Sequence, residues 1–320
     1  MIRMRRMIQW ALGTGALALL LTVGVADAGA PPAGPRLAVA KHTWKPSLIT
    51  LLTVGPDGAR PVRVGGGDED SPLDTILLAP LSWRPDGTEF AFTGLAEIFL
   101  VRADGSGARR INAAGAEMPV FAPDGHTIAF ARHGERGETI WTIDLLSGTQ
   151  RQLTPSRRGL RYLPSSYSPD GTTLLATRFD SHRSGGAEPV ALHLDTGGVT
   201  RLLGEGREPV YSPDGSEISL FRAAGGRRTD DLFVVDAASG ALRRLTRTPG
   251  KDEYFASWDP SGERIAFARF QGANIEWANS IVQINADGTC ETEILARRRT
   301  LFFGPAWQPG PGREAGPIDC

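Results

Sequence analysis

The most regular feature of the chain is a turn motif that follows a short apolar stretch and recurs along the sequence. Four copies read aromatic-x-Pro-Asp-Gly, a fifth reads Trp-Asp-Pro-Ser-Gly, and a sixth is reduced to Trp-Gln-Pro-Gly. The prolines of these copies are Pro85, Pro123, Pro169, Pro213, Pro260 and Pro309. Proline presets φ at the second position of a type I turn, aspartate tolerates the third, and glycine adopts the left-handed conformation that follows. Each motif therefore predicts a tight β-hairpin.

Apolar or alternating segments of strand length surround every motif. One strand is predicted directly after each turn, at 89–93, 127–132, 173–178, 217–221 and 264–270. Another follows at 98–102, 140–144, 190–195, 232–236 and 280–285, and then a second glycine-containing turn leads to a short last strand. Each unit thus has four antiparallel strands within about 45 residues, which is typical of a β-propeller blade.

The two ends of the repeat region predict how the ring closes. Five complete units start near residues 81, 119, 165, 209 and 256, whereas the first part of the chain has three strands only, at 36–42, 48–54 and 61–64. The missing strand is present at 301–308. Because an incomplete blade would leave an open sheet edge, we expect the N- and C-terminal strands to share one blade. The sequence therefore predicts an all-β fold, a six-bladed β-propeller of four-stranded antiparallel blades over residues 36–309, followed by a C-terminal tail at 310–320.

The repeats resemble those of a known family. The aromatic-Ser-Pro-Asp-Gly turns, the Ile-Ala-Phe strands and the Arg-x-Leu-Thr endings of residues 144–154 and 236–246 are similar to the repeats of the TolB family. The same repeat type occurs in the propeller domains of dipeptidyl-peptidase and oligopeptidase relatives. The resemblance covers about residues 36–309 and implies the propeller fold. It does not imply a particular activity, because propellers support many unrelated functions.

Residues 1–28 have the pattern of a secretory signal peptide. Arg3, Arg5 and Arg6 precede an almost uncharged segment at 8–25, and Ala26-Asp27-Ala28 supplies the small residues of a cleavage site. An uncleaved membrane anchor is the alternative, since an apolar segment of about 18 residues is at the lower limit for spanning a bilayer. We expect cleavage after Ala28, because a Gly/Pro-rich linker at 29–35 follows at once. The product would be periplasmic or secreted, with no stable membrane span.

Composition and missing motifs exclude several classes of function. The 35 Lys and Arg residues and the 36 Asp and Glu residues give a formal net charge of −1, so the basic excess of a nucleic-acid-binding protein is absent. Two cysteines, Cys290 and Cys320, are too few for a disulfide-dense scaffold or a Cys-rich zinc site, and the sequence leaves open whether they pair. There is no Gly-x-Ser-x-Gly elbow, no His-Glu-x-x-His motif and no phosphate-binding glycine loop. We therefore expect no cofactor and no metal, and assign no catalytic residue.

Two sets of repeated residues are interpreted as architectural because they recur once per blade. The turn aspartates are expected to bind the backbone of their own turns; they are Asp86, Asp124, Asp170 and Asp214. The aromatic residues before the turns are expected to pack between blades. The acidic segment at 65–70 lacks the alternating ligands of an EF-hand loop and is interpreted as a connection between blades.

Binding residues are expected where the repeat is irregular. The loops between the second and third strands, and those between blades, surround one mouth of the channel and carry most of the histidines and several arginine clusters. The candidates are His42, His133, Arg157, Arg158, His182, Arg227, Arg228, Arg297, Arg298 and Arg299. Arginine forks bind carboxylates in a bidentate manner, so a partner of mixed charge with anionic groups is expected. Ordinary solvated loops are the alternative interpretation.

The leading functional hypothesis is an exported, non-enzymatic platform that binds an envelope or extracellular protein. The alternative is a hydrolase or lyase that acts on glycans or peptides at the channel mouth, with Glu135, Glu138, His133 and His182 as its candidate residues. A third hypothesis is a pseudo-enzyme or a carbohydrate-binding module. A metal site formed by His42, His133 and His182 is a further alternative, although single loop histidines are ordinarily plain surface residues.

Overall fold

The computed structural model describes residues 34–44, 47–66, 80–94, 96–111, 113–182, 186–224, 229–271, 279–297 and 300–320. The predicted signal peptide, most of the predicted linker and the acidic part of segment 65–70 lie outside these residues. Within them, no helix is long and apolar enough to cross a membrane.

The described strands form six four-stranded antiparallel sheets, which confirms the predicted number of blades and strands. Each blade is listed from its innermost strand outward. Blade 1 contains β4 (Ser82–Trp83), β5 (Glu89–Gly94), β6 (Glu97–Arg102) and β7 (Arg109–Arg110). Blade 2 contains β8 (Ala116–Phe121), β9 (Thr127–Gly134), β10 (Gly137–Asp144) and β11 (Gln150–Gln152). Blade 3 contains β12 (Leu160–Tyr167), β13 (Thr173–Asp180), β14 (Ala187–His193) and β15 (Val199–Arg201).

The remaining blades follow the same pattern. Blade 4 contains β16 (Arg207–Tyr211), β17 (Glu217–Ala223), β18 (Asp230–Asp236) and β19 (Leu242–Arg244). Blade 5 contains β20 (Lys251–Trp258), β21 (Arg264–Gln271), β22 (Asn279–Asn285) and β23 (Thr292–Ala296). Blade 6 contains β24 (Thr300–Trp307), β1 (Leu37–Trp44), β2 (Ser47–Val54) and β3 (Val62–Gly66).

Blade 6 closes the ring with strands from both ends of the chain, as predicted. Strand β24 pairs with β1 in a register that runs from Leu37 opposite Trp307 to Thr43 opposite Thr300. The backbone amide of Gln308 extends this pairing, because it donates a hydrogen bond of 2.9 Å to the carbonyl of Arg36. The open edge that each terminal segment would have alone is thereby removed.

The apolar core lies between blades. Among the described residues it is divided into six clusters, and each combines side chains from two neighbouring blades. Trp83 of blade 1 packs in the cluster shared with blade 6, and its indole Nε1–H donates to the carbonyl of Ala306 at 2.9 Å. Trp258 of blade 5 packs against blade 4 and donates to the carbonyl of Val210 at 3.2 Å. The predicted packing of the repeated aromatic residues between blades is confirmed.

The Pro-Asp-Gly turns also connect neighbouring blades. The Oδ1 atom of Asp214 accepts the backbone amide of Ser216 at 3.0 Å, and hydrogen bonds from Ser212 and Ser216 lower the pKa of Asp214 to about 2. The other predicted turn aspartates accept backbone amides in the same way. Gly215 has a φ of 76°, and a Cβ there would lie 3.2 Å from the ring of Pro169 in the preceding turn. The turn residues are therefore architectural, as predicted.

The C-terminal tail is fastened to blade 5. The guanidinium of Arg264 donates to the carbonyls of Ala315, Gly316 and Pro317 at distances between 2.8 and 3.3 Å. The amide side chain of Asn285 forms two further hydrogen bonds with the backbone of Ile318. Cys290 and Cys320 form a disulfide with a Cα–Cα distance of 5.6 Å, which answers the question that the sequence left open.

The disulfide is expected to stabilise the ring, because it links β24 to blade 5 through a loop of 30 residues. Loop-closure entropy for this length predicts a loss of roughly 3–4 kcal/mol on removal of the bond. Urea unfolding should therefore show a lower midpoint for the dithiothreitol-treated protein and for Cys290→Ser/Cys320→Ser than for the oxidised protein. The double variant should not respond to dithiothreitol. Equal midpoints for the oxidised and reduced proteins would contradict the expectation.

Candidate binding site at the channel mouth

The topology separates two faces of the ring. The Pro-Asp-Gly turns and the turns between third and fourth strands lie on one face, here called the turn face. The connections between second and third strands, and those between blades, lie on the other, here called the loop face. The innermost strands of all six blades line a central channel that encloses about 390 Å³. This volume falls within the range of sites that hold small ligands or single side chains.

The wall of the channel carries a set of backbone irregularities near the loop face. Pairing of the innermost strand with its neighbour is interrupted by a bulge in blades 2, 3, 4, 5 and 6. At these bulges Met118, Glu208 and Phe255 have φ values of 55°, 52° and 62°. A left-handed conformation costs a non-glycine residue about 1–2 kcal/mol, so the surrounding structure must hold it in place.

Each of these left-handed residues donates its backbone amide to a side chain of the preceding blade. The amide of Met118 donates to the Thr93 hydroxyl at 2.9 Å, and that of Glu208 donates to the Thr177 hydroxyl at 2.8 Å. The amide of Phe255 donates to the carboxylate of Glu208 at 2.7 Å. The bulges therefore bind one blade to the next and turn a side chain towards the channel.

Glu208 is the one charged side chain among the described residues that line the channel. Burial raises the pKa of Glu208, against the opposing effect of the Arg207 charge. Arg207 itself lies beside Asp230, with 2.5 Å between Nη2 and Oδ2, and stacks 4.3 Å from the ring centre of Tyr254. The Asp252 carboxylate accepts the backbone amide of Asp230 at 3.0 Å. Glu208 therefore lies in a sector, between blades 4 and 5, that holds charges of both signs.

His133 occupies an ion-pair cluster between blades 2 and 3. Its Nε2 lies 3.1 Å from the carboxylate of Glu117 and its Nδ1 lies 3.1 Å from that of Glu138. Hydrogen bonds to Glu117 and then Glu138 raise the pKa of His133 to about 10. The second carboxylate oxygen of Glu138 accepts a hydrogen bond of 2.7 Å from Arg161. Burial acts to raise the pKa of Glu138, but the hydrogen bonds and charges of His133 and Arg161 outweigh it, and the pKa is lowered. The cluster is therefore an ionised network at neutral pH.

A groove of about 480 Å³ lies beside this cluster on the loop face. It is lined by Glu135 and Arg136 from the β9–β10 connection and by Ser156, Arg157 and Arg158 from the connection between blades 2 and 3. Among the described residues, no ion-pair or hydrogen-bond partner is found for the guanidinium groups of Arg136, Arg157 and Arg158, and all three are exposed. This sector of the loop face is therefore basic.

The structure brings together some of the predicted binding residues and separates others. His182 lies next to the groove, since its Nε2 is 3.0 Å from the carbonyl oxygen of Arg158. His42 lies on β1 of blade 6, with blade 1 between it and His133, and burial lowers its pKa. Arg297 is exposed after β23, whereas Arg227, Arg228, Arg298 and Arg299 lie outside the described residues. No group of three or more potential metal ligands is found in the described part of the chain, so His42, His133 and His182 do not form one there.

Glu117, Arg136 and Glu208 were not predicted from the sequence. The sequence does contain a signal for Glu208. In each blade, the residue three positions before the aromatic residue of the turn occupies an equivalent place on the channel wall. These residues are Pro80, Met118, Pro164, Glu208, Phe255 and Gly304, and one of the six is charged. A charged residue at a position that is otherwise uncharged marks a place where the repeat departs from architecture.

Comparison with known proteins supports the fold. A family model described as the TolB β-propeller domain matches residues 74–311. The Tol-Pal system protein TolB of Anaeromyxobacter dehalogenans is 34% identical over 165 residues, which cover 48% of this chain and 36% of that protein. TolB of Francisella tularensis is 28% identical over 120 residues, or 37% of this chain and 26% of that protein. The matched segments therefore span about a third or less of these relatives.

Solved structures give the same result for the architecture. The crystal structure of TolB from Acinetobacter baumannii superposes with a TM-score of 0.73 at 23% identity, and the match covers 86% of this chain and 67% of that one. A putative TolB from Agrobacterium tumefaciens has a TM-score of 0.63 at 17% identity and covers 87% of this chain and 99% of that one. At these identities the likeness concerns the fold alone.

The His133 cluster predicts a pH dependence of stability. The folded pKa of about 10 lies above the ordinary value of 6.5, so the contribution is fully present below about pH 6.5 and is lost as the pH rises towards 10. Because half of the His133 side chain is exposed, solvent screening limits the effect to about 1 kcal/mol or less. We expect His133→Gln to lower the urea midpoint at pH 6 and to match the wild type at pH 10.5.

An NMR titration of the His133 ring measures the same pKa directly. His182→Gln is the control, since the His182 ring has no carboxylate partner among the described residues, and it should not alter the pH dependence. A His133 ring that titrates near pH 6.5 would contradict the ionised network.

Proposed function

Because the chain belongs to the TolB β-propeller domain family, we propose that it is exported and acts as a protein-binding platform in the cell envelope or outside the cell, without enzymatic activity. Export rests on the signal-peptide pattern of residues 1–28. The name of the relatives from Anaeromyxobacter dehalogenans and Francisella tularensis, Tol-Pal system protein, favours a role in an envelope assembly and a periplasmic location. The partner is an envelope or extracellular protein.

The observation that carries this proposal is the set of three exposed arginines around the groove of Glu135, Arg136, Ser156, Arg157 and Arg158. Elsewhere on the loop face, several charged groups are paired within the protein, as in Arg161 with Glu138 or Arg178 with Glu188. Guanidinium groups without such partners are available to carboxylates of another molecule, with which they form bidentate hydrogen bonds. The groove lies between two loops, and its volume of about 480 Å³ can receive part of a protein segment.

The candidate catalytic residues do not support the enzymatic alternative. Both oxygens of Glu138 are engaged, one by His133 and the other by Arg161. A general acid or base needs a pKa near the working pH and access to substrate. His133, with a pKa raised to about 10, remains protonated at neutral pH, and the lowered pKa of Glu138 keeps it ionised. Glu135 and His182 have exposed side chains outside this ionised cluster.

Affinity purification from envelope extract of the source organism tests the platform. The wild-type protein, immobilised on a resin and incubated with the extract at low salt, should retain a defined envelope protein, and Arg136→Ser/Arg157→Ser/Arg158→Ser should lower the recovery at least tenfold. Retention should also fall with added salt, because the contacts are charged and exposed. Arg151→Ser is the matched control, since it removes an exposed arginine from the outer strand β11 of blade 2 and should leave recovery unchanged.

Two results would count against the platform. Equal recovery with the triple variant would show that the groove is not part of the binding surface. Retention of a glycan or turnover of a glycan or peptide substrate, with no protein retained, would favour the enzymatic or carbohydrate-binding alternatives.

A further inference from the structure

The wall of the central channel is apolar except for backbone, hydroxyl groups and one carboxylate. Five prolines line the end at the turn face: Pro85, Pro123, Pro169, Pro213 and Pro309. Near the loop face the wall includes Met118 of blade 2, Glu208 of blade 4 and Phe255 of blade 5. A carboxylate in such surroundings loses hydration, and the loss is offset only by hydrogen bonds or by a cation.

The protein supplies Glu208 with little compensation. Its Oε2 accepts the backbone amide of Phe255 at 2.7 Å, and no hydrogen-bond donor to Oε1 is found among the described residues. The neighbouring Arg207 is engaged elsewhere, with Asp230 and with the ring of Tyr254. Glu208 is thus a carboxylate on the channel wall with no cation in contact.

The fold needs a hydrogen-bond acceptor for the backbone amide of Phe255, but this acceptor does not need to carry a charge. Blades 1 and 3 supply the corresponding acceptor with a neutral hydroxyl, from Thr93 and Thr177. On the second strand of blade 4, the residue equivalent to Thr93 and Thr177 is Phe221. Its side chain is fully buried in the core and has no atom that can accept a hydrogen bond. The side chain of Glu208 takes over this role, which a neutral glutamine could also perform. The negative charge is therefore not explained by the architecture.

We propose that Glu208 forms a subsite for a cationic side chain, a lysine or an arginine, which an extended segment of a partner protein inserts into the channel from the loop face. The carboxylate pairs with the ammonium or guanidinium group, and the Met118 and Phe255 side chains contact the apolar stem. This inference rests on the proposed function in one respect, namely that the cation belongs to a partner protein.

The charges on the loop face support this orientation. Asp230 and Asp252 lie near Glu208 on the side of blades 4 and 5, and Arg207 is engaged by Asp230. Arg136, Arg157 and Arg158 surround the groove between blades 2 and 3. A partner segment with a cationic residue for the channel and acidic residues for the groove matches both sectors, and opposite charges of this kind determine how two proteins dock.

Titration calorimetry with short peptides tests the subsite. The probes are acetyl-Gly-Gly-Lys-Gly-Gly-amide, its arginine counterpart, and the same peptide with norleucine, which keeps the stem and removes the charge. We expect the wild-type protein to bind at least one cationic peptide at least tenfold more tightly than the norleucine peptide. Glu208→Gln should abolish this difference, because it keeps the acceptor for the Phe255 amide and removes the charge. Glu205→Gln, a charge removal on the preceding loop outside the channel wall, should retain it.

A second variant keeps the test decisive if Glu208→Gln fails to fold. Met118→Lys places a cation from the protein itself in the channel and should abolish binding of the cationic peptide. The inference is overturned if no cationic peptide binds at 5 mM, if the norleucine peptide binds equally well, or if binding survives both substitutions.

The two proposals can fail separately. The envelope purification depends on Arg136, Arg157 and Arg158, whereas the peptide titration needs no natural partner and depends on Glu208. A protein that retains an envelope partner but shows no preference for cationic peptides would keep its platform role and lose the channel subsite.

Discussion

Pairing of β24 with β1 is the constraint on which the rest of the structure depends. Each blade buries its apolar side chains against two neighbours and has no core of its own. Blades 1 and 5 find their second neighbour only because blade 6 is assembled from residues 300–307 and 37–66. Without that pairing, the faces around Trp83 and Trp307 would be exposed to water. The tail, held by Arg264, Asn285 and the Cys290–Cys320 disulfide, attaches β24 to blade 5 and so maintains the closed ring.

The contacts between blades explain why the repeat is so regular on one face and so variable on the other. On the turn face, proline and glycine from neighbouring turns approach each other, as between Pro169 and Gly215, where a Cβ would lie 3.2 Å from the proline ring and the φ of 76° disfavours other residues. On the loop face, the described contacts between blades are of another kind. There the bulges at Met118, Glu208 and Phe255 hold left-handed backbone by hydrogen bonds to the preceding blade. Sequence is therefore free to vary in the loops, and the rigid ring fixes where those loops project.

The loop face has an uneven distribution of charge that follows from these positions. The sector between blades 2 and 3 carries three exposed arginines, for which the described part of the chain offers no ion-pair partner, next to an internally neutralised His133 cluster. The sector between blades 4 and 5 pairs Arg207 with Asp230 and contributes Glu208 to the channel. The net charge of −1 conceals this arrangement, because it sums over both sectors. A surface of this kind selects the orientation of a partner as well as its identity.

The amino-acid sequence by itself determined the architecture. The Pro-Asp-Gly turns, the strand-length apolar segments and the period of about 45 residues were enough to predict six blades and the shared closing blade, because these signals are local and repeated. It also placed Arg157, Arg158, His133 and His182 on one face. The tertiary structure alone decided which of these lie together, that Cys290 pairs with Cys320, and that Glu117 and Glu138 hold His133. Such contacts join residues from different strands and blades, and their formation depends on side-chain direction and distance, which periodicity along the chain does not encode.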